Sequence, residues 1–327
     1  MSPENRLLQV ARKQAPRYQS VAREMWRLGF LPSKSRLYDF TKFAPQDFLT
    51  DLQFAYTNAL NGPYAELLDN KPIFHAVFGA VLPVPAAIAC AFGGGMVWFT
   101  EAKGPFFAKP AHGLGGMGII RGCFEGDSVR LNGRLLGRME FQAQLASTGE
   151  PYILTAAIEQ HPEMASFFPE TVNTVRVLMM REPSGEAFVA CAVLRLGTSS
   201  SGGVDNFSKG GLSFWIDTAV GKIGQGRRKT GAIFESHPDT GAPVSGRCIP
   251  HWAAVLDCCH AAMAQQPGLQ YVGWDLVIAP DGPVLIEGNN HSGVHMIQAH
   301  GPLLANARVR DFYERHGILR HVPTTSL

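Results

Sequence analysis

The sequence predicts an α+β fold of two lobes, with an additional helical region in front of them. Three observations lead there. Residues 1–68 show apolar spacing of helical period, with breaks, and nothing that reads as strand. From residue 69 on, short apolar runs are punctuated by Gly, Pro and Asp, the pattern of strands joined by turns. Runs 172–180 and 187–196 are strongly apolar, and the pair flanking Pro280-Asp281-Gly282 is apolar on both sides, as strands inside a layered sheet are. A chain of 327 residues has room for two domains or one large one with lobes. The expected division is a helical region at 1–68, a small lobe at 69–153 and a large lobe at 154–327.

In the helical region Leu7, Val10 and Ala11 begin one amphipathic pattern, and Val21, Met25, Trp26 and Leu28 continue another. Phe48 to Leu60 forms a third, which Asn61-Gly62-Pro63 stops. Arg12, Lys13 and Arg17 fit a solvated helix face. Asn70-Lys71-Pro72 opens a short helix over 73–78. Strand-like pieces follow at 81–85 and 96–101, then a strand at 104–110 ending in Lys109-Pro110. A loop at 111–118 leads to a hairpin, 119–124 with 128–131, about Gly126-Asp127. A helix over 138–146 precedes a strand over 152–158. Strands 172–180 and 187–196 come next, then a polar loop at 197–211 and a strand at 212–216. Residues 221–247 read as an excursion poor in apolar residues. Helix 252–264 feeds the hairpin 272–278 with 284–287, and a last helix covers 307–316.

Composition narrows the function classes. Hydrophobic residues make up 46% and charged residues 17%, an ordinary folded protein. With 29 basic against 27 acidic residues the net charge is +2, which gives no case for nucleic acid or an anionic membrane surface. Six cysteines show no Cys-x-x-Cys pair, which fits a reducing compartment. The N-terminal residues lack a signal-peptide pattern, and the most apolar run, 80–92, holds two prolines and is too short to span a bilayer. A cytoplasmic protein without membrane insertion is expected.

The chemistry concentrates in residues 271–291. Folding the hairpin about Asp281 brings Asp275 opposite Glu287, since both lie six residues from it. Alternation then sets Asp275, Val277, Leu285, Glu287 and Asn289 on one face. Paired carboxylates about 4.5–5.5 Å apart at Cβ repel, so something cationic should lie between them. Two carboxylates and an amide oxygen suit a hard ion, Mg²⁺ above all; a solvent-facing hairpin is the plain alternative, which the apolar flanks argue against.

Gly113-x-Gly115-x-x-Gly118 formally matches the dinucleotide fingerprint. No helix opens there, though, and no acid stands at the required later position. A Walker loop is absent. What remains is a strand, Lys109-Pro110, and a loop whose glycines (Gly113, Gly115, Gly116, Gly118) offer backbone N–H groups to a polyphosphate, unless it is a plain Gly-rich turn. Asn173 and Arg176 interrupt an apolar strand, and Asp205-Asn206 with Lys209-Gly210-Gly211 adds an amide and a cation.

With these residues the chain resembles the ATP-grasp superfamily, and more narrowly its sugar-transfer-associated, glutamate-ligase-like branch. The resemblance covers roughly 69–300 and rests on the ordered set: Lys71, Lys109-Pro110 with its glycine loop, His161-Pro162 and Asn173-Thr-Val-Arg176, Asp205-Asn206 with Gly210-Gly211, and Gly273-Trp-Asp275 through Glu287-Gly-Asn289. It implies ATP held between two α+β lobes. Lys71 and Lys109 would contact phosphates, the segment at Ile158 the adenine, and Glu159 or His161 the ribose. Asp275, Glu287 and Asn289 match the ligands of two Mg²⁺ ions. The chain departs from the family at Thr155-Ala156-Ala157, where many members carry acids, and in lacking the usual α/β pre-domain.

The resemblance further implies a ligase that joins a small-molecule carboxylate to an amine through an acyl phosphate, releasing ADP and phosphate. Arg176, Lys109 and Asn206 would carry that chemistry. Asn173, Lys209, His291 and His295 are candidate substrate contacts. A phosphotransferase acting on a hydroxyl and a non-catalytic nucleotide-binding module are the alternatives. Oligomeric state stays open.

Overall fold

A computed structural model describes residues 1–113 and 116–327. The N-terminal region is a chain of short helices: α1 (Pro3–Gln14), α2 (Ala22–Arg27), α3 (Lys34–Leu37), α4 (Asp51–Tyr56), α5 (Glu66–Asp69) and α6 (Lys71–Phe78). Local capping explains several starts. Ser2 accepts from the Asn5 N–H with Pro3 at the first helical position, and Thr50 forms a reciprocal capping box with Gln53.

The first sheet holds β1 (Ala87–Phe92), β2 (Gly95–Trp98), β3 (Gly104–Pro110), β4 (Ile120–Glu125), β5 (Ser128–Leu131) and β6 (Arg134–Gly137). Helix α7 (Arg138–Ala146) follows, and then β7 (Tyr152–Ala156). Every pairing is antiparallel, in the order β2-β1-β7-β3-β4-β5-β6. Phe106, Ala108, Phe124 and Leu154 pack against Phe141 and Leu145 of α7. Side chains alternate along a strand, so Phe107, Lys109 and Thr155 point the other way. The strand expected at 81–85 lies instead at Ala87–Phe92. Pro83 and Pro85 cannot donate to a ladder, and the Ala-rich strand that follows them lacks the branched residues that mark strands.

The second sheet is built from β8 (Thr174–Arg181), β9 (Ala187–Leu196), β10 (Leu212–Asp217), β11 (Lys222–Arg228), β12 (Ile233–Phe234), β13 (Tyr271–Ala279) and β14 (Gly282–Asn289), in the order β12-β11-β10-β9-β8-β13-β14. Helix α8 (Pro162–Phe167) precedes it, α9 (Trp252–Gln265) enters before β13, and α10 (His295–Gln298) and α11 (Ala307–Arg315) end the chain. One face, with Val175, Val177, Leu194, Trp274 and Leu276, packs on α6, α8 and α9 through Phe74, Phe78, Met164 and Val255.

The opposite face is divided. At one end Leu178, Met180, Cys191, Val193 and Tyr271 are covered by Met25, Phe30, Leu37, Tyr38 and Phe48 of the N-terminal region and by Phe312 of α11. Two residues further along the same strands the face turns polar, with Arg176, Arg195 and Asp275 in place of Leu178, Val193 and Gly273. The N-terminal helices are therefore one layer of this sheet, and the polar end is what that layer leaves uncovered.

Candidate active site

The uncovered end faces the first sheet across a cleft of about 560 Å³. Strand register sets its centre. Asp275 pairs with Arg176 of β8 on one side and with Glu287 of β14 on the other. Adjacent strands lie about 4.8 Å apart, so one guanidinium and two carboxylates form a row across the sheet. The Asp275–Glu287 pairing matches the expectation, but the turn is the two-residue Pro280-Asp281, closed by Ala279 opposite Gly282. By that turn alone Asp275 would face Ile286. A bulge between the Asp275 and Leu276 pairs adds one residue to β14 and restores Glu287. The same bulge overturns one expectation: Leu285 pairs with Leu276 and packs in the core, not beside Asp275.

Asp275 is buried and held by two arginines. Arg176 Nε donates to Oδ1, while Arg176 Nη2 and Arg195 Nη1 donate to Oδ2 at 2.7 and 2.8 Å. Arg195 Nη2 also donates to Asp205 Oδ1 (2.9 Å), and Asp205 accepts from the Thr174 hydroxyl. Arg176 Nη1 reaches Ser292 Oγ at 3.2 Å. Gly273 leaves room for this clamp, since a Cβ there would meet Ser292 Oγ at 2.1 Å and Arg176 Cδ at 3.0 Å. Burial acts to raise the Asp275 pKa, but Arg176 and Arg195 outweigh it and hold the carboxyl well below the usual range. Burial likewise opposes the Arg195 charge, and Asp205, Asp275 and Glu287 overcome it. Glu287 goes the other way: burial and then its neighbour Asp275 push its pKa up.

Two lysines stand opposite this row, Lys109 on β3 of the first sheet and Lys71 on α6. Lys71 opens α6, donates its N–H to Ala111 O (3.1 Å) and its Nζ to Gly113 O (2.9 Å) at the mouth of the glycine loop. Burial pushes the pKa of both Lys71 and Lys109 down, and Glu287 is the largest influence holding each up. Gly116, at φ +74°, faces Val204 from the opposite lobe, where a Cβ would lie 3.5 Å from Val204 Cγ1. Lys71, Lys109, Gly113, Gly116, Ile158, Arg176, Asn206, Lys209, Asp275, Glu287, Asn289 and His295 all line the one cleft.

Other expected residues serve elsewhere. Gly115 lies outside the described residues. Gly118 O accepts from Tyr152 Oη (3.2 Å), so this glycine anchors the loop. His161 does not face the cleft. Its Nδ1 caps α8 by accepting from Glu163 N–H, and its own N–H donates to Ile278 O, because the chain has already turned away from β7 there. Glu159 beside it is exposed and off the cleft. Asn173 is fully buried: its Nδ2 donates to Met164 O and Phe168 O, and its Oδ1 accepts from Thr171. His291 stacks on Phe54 with ring centroids 3.9 Å apart and bonds its carbonyl, docking β14 on α4.

Arg195, Asp205 and Thr174 as a bonded set were not foreseen. Their signal, an arginine at the end of an apolar strand, acquires meaning only once Arg195 is known to pair with Thr174. Among the described residues no three His, Cys, Asp or Glu side chains converge as a metal cage. The donors that do converge are Asp275, Glu287 and Asn289, whose Nδ2 donates to Gly273 O. Two adjoining carboxylates, one with raised proton affinity, call for a cation, and an all-oxygen set fits Mg²⁺. Of the two carboxylates Glu287 is the freer to take a cation, because three guanidinium contacts already occupy Asp275.

A family model described as sugar-transfer associated ATP-grasp matches residues 52–310. No curated protein matches the sequence. Among solved structures, the chain is similar to an L-amino acid ligase from Bacillus licheniformis at 10% identity and TM-score 0.46, covering 76% of this chain and 49% of that one. The VanG D-Ala:D-Ser ligase from Enterococcus faecalis is similar at 13% identity and TM-score 0.44, over 81% and 64%. The ATP-grasp ligase PsnB, complexed with minimal precursor, is similar at 17% identity and TM-score 0.39, over 79% and 63%. The chain thus spans from about half to just under two thirds of these proteins' lengths.

Proposed function

Because the chain belongs to the sugar-transfer associated ATP-grasp family, we propose that it is an ATP-dependent ligase joining a small-molecule carboxylate to an amine through an acyl phosphate. The observation that carries this reading is the meeting, in one cleft, of Lys71 and Lys109 from one side with the Arg176–Asp275–Glu287 row from the other. In this reading 69–153 forms the phosphate-binding lobe, 154–327 the metal and substrate lobe, and 1–68 a supporting layer. A cytoplasmic setting accords with the six free cysteines and with the lack, among the described residues, of a helix long and apolar enough to cross a membrane.

Each residue then has a task that its surroundings support. Lys71 and Lys109 neutralise phosphate oxygens, Lys71 from a position tied to the glycine loop. Glu287 and Asn289, with Asp275, would hold Mg²⁺, which when bound supplies charge neutralisation along the triphosphate. Arg176 and Arg195 are fixed by Asp275, which they share, and Arg195 also by Asp205, so their positive charge is pre-aimed at the centre without reorganisation. Asn206 and Lys209, on the loop before β10, bound the substrate end.

Incubation of the protein with ATP, Mg²⁺, a panel of carboxylic acids and hydroxylamine tests the reading. Hydroxamate with ADP and phosphate is expected, since an acyl phosphate is opened by hydroxylamine. AMP and pyrophosphate would indicate adenylation. ADP with a phosphorylated alcohol and no hydroxamate would indicate a phosphotransferase.

A further inference from the structure

Resting on the ligase reading for its setting, we propose that His295 donates a hydrogen bond to an oxygen of the substrate, a carboxylate or carbonyl. A relay from the N-terminal layer holds its ring in the Nε2–H tautomer. The relay can be followed donor by donor. Leu49 N–H donates to Gln298 Oε1 at 2.7 Å and Leu49 O accepts from Gln298 Nε2 at 2.9 Å, so the buried amide has one orientation. The remaining Nε2–H points at Tyr38 Oη, 3.2 Å away. An amide nitrogen cannot accept, so Tyr38 accepts there and its own proton goes to its other neighbour, His295 Nδ1 at 3.3 Å. Nδ1 is then the acceptor of a neutral ring, and Nε2 carries the hydrogen.

The Nε2 side meets Asp51 Oδ1 at 3.8 Å, beyond hydrogen-bond reach. Asp51 is already engaged by Lys34 Nζ at 2.9 Å and by the Leu31 N–H at 2.8 Å. Among the described residues the donor is oriented and unspent, on a side chain 34% exposed that lines the cleft. The charged and titratable groups facing it are Lys34 and Asp51 from the N-terminal layer, His291 beside it and Lys229 at the end of β11. Burial first, and then Lys34, push its pKa down to about 3, which keeps the ring neutral. A neutral N–H recognises a lone pair and offers nothing to an ammonium group, so this position selects the oxygen-bearing part of the substrate. Tyr38 and Gln298 are positioning residues.

Proton–nitrogen NMR of the full chain with labelled histidine tests this without turnover. His295 is expected to show an unprotonated Nδ1, a protonated Nε2, and no titration between about pH 5 and 8. The Nδ1–H tautomer, or a midpoint near the ordinary value of about 6.5, overturns it. Tyr38→Phe should release the preference and give both tautomers; a ring still locked as Nε2–H overturns the relay. Acetate, as a probe oxygen acceptor, should shift the His295 Nε2–H signal. A response to methylammonium instead, or none to acetate, overturns the donor assignment. A chain that fails to form hydroxamate but passes these measurements loses the ligase reading alone.

Discussion

Glu287→Gln keeps the outline of the side chain and its contact with Asp275 while removing the charge that would hold a cation. Because burial and Asp275 already push Glu287 toward its protonated form, the neutral variant should fold with an unchanged melting temperature. Its ATP turnover should fall on the order of 10³-fold, measured as ADP release. Asn173→Ala should do the reverse. It leaves two buried carbonyls and a hydroxyl without their partner, costing roughly 2–4 kcal/mol in urea unfolding, with KM values moving less than about twofold. Both residues were equally visible in the sequence as polar groups in apolar strands. What separated them was direction: Glu287 shares with Asp275 and Arg176 the face that turns polar, whereas Asn173, one residue before β8, turns inward to fasten α8. Spacing shows which side of a strand a residue takes, but which side is wet depends on packing from 120 and more residues away. Arg195 was missed for the same reason.

Among the elements, the hairpin β13–β14 is the sharpest case. Symmetry about Asp281 identified the right pair although the turn is centred half a residue earlier, and the bulge at Ile286 makes up the difference. Inserting one residue between Ile286 and Glu287 should therefore draw Glu287 out of line with Asp275, since a one-residue slip exchanges the faces of a strand. Loss of ATP turnover and weaker amide protection in β14 are expected, read by hydrogen exchange; wild-type turnover would show that the bulge does not set the pair. Strands dense in large apolar residues, such as β8 and β9, were legible. β11 was not, because Lys222-Ile-Gly-Gln-Gly-Arg-Arg228 holds a single large apolar residue and forms by pairing with β10 rather than from its own propensity.

At the scale of the molecule, three half-buried histidines are kept neutral. His75 is pushed down to about 4 by burial and Lys109, His295 to about 3 by burial and Lys34, and His300 to about 3 by burial and Arg227. Below the ordinary value of 6.5 the unfolded chain takes up a proton that native His300 refuses until near pH 3, so stability falls as pH drops through that window. Asp205 and Glu287, raised by burial, act in the opposite sense. The difference between wild type and His300→Gln isolates the histidine: the variant should lose less melting temperature between pH 7 and 4, and identical losses would contradict the assignment. The two-lobed α+β plan was legible from the turn-broken strands. That the helical region forms a layer of the second sheet was not, because amphipathic helices announce an apolar stripe without naming what it will cover.

The core behind the first sheet shares no residue with either core of the second. Each sheet can therefore melt on its own schedule, in the manner of separate cooperative units. A nucleotide lodged in the cleft would touch both, and its grip would weld two independently opening bodies into one. Thermal unfolding would then sharpen from two steps to a single one as ATP is added.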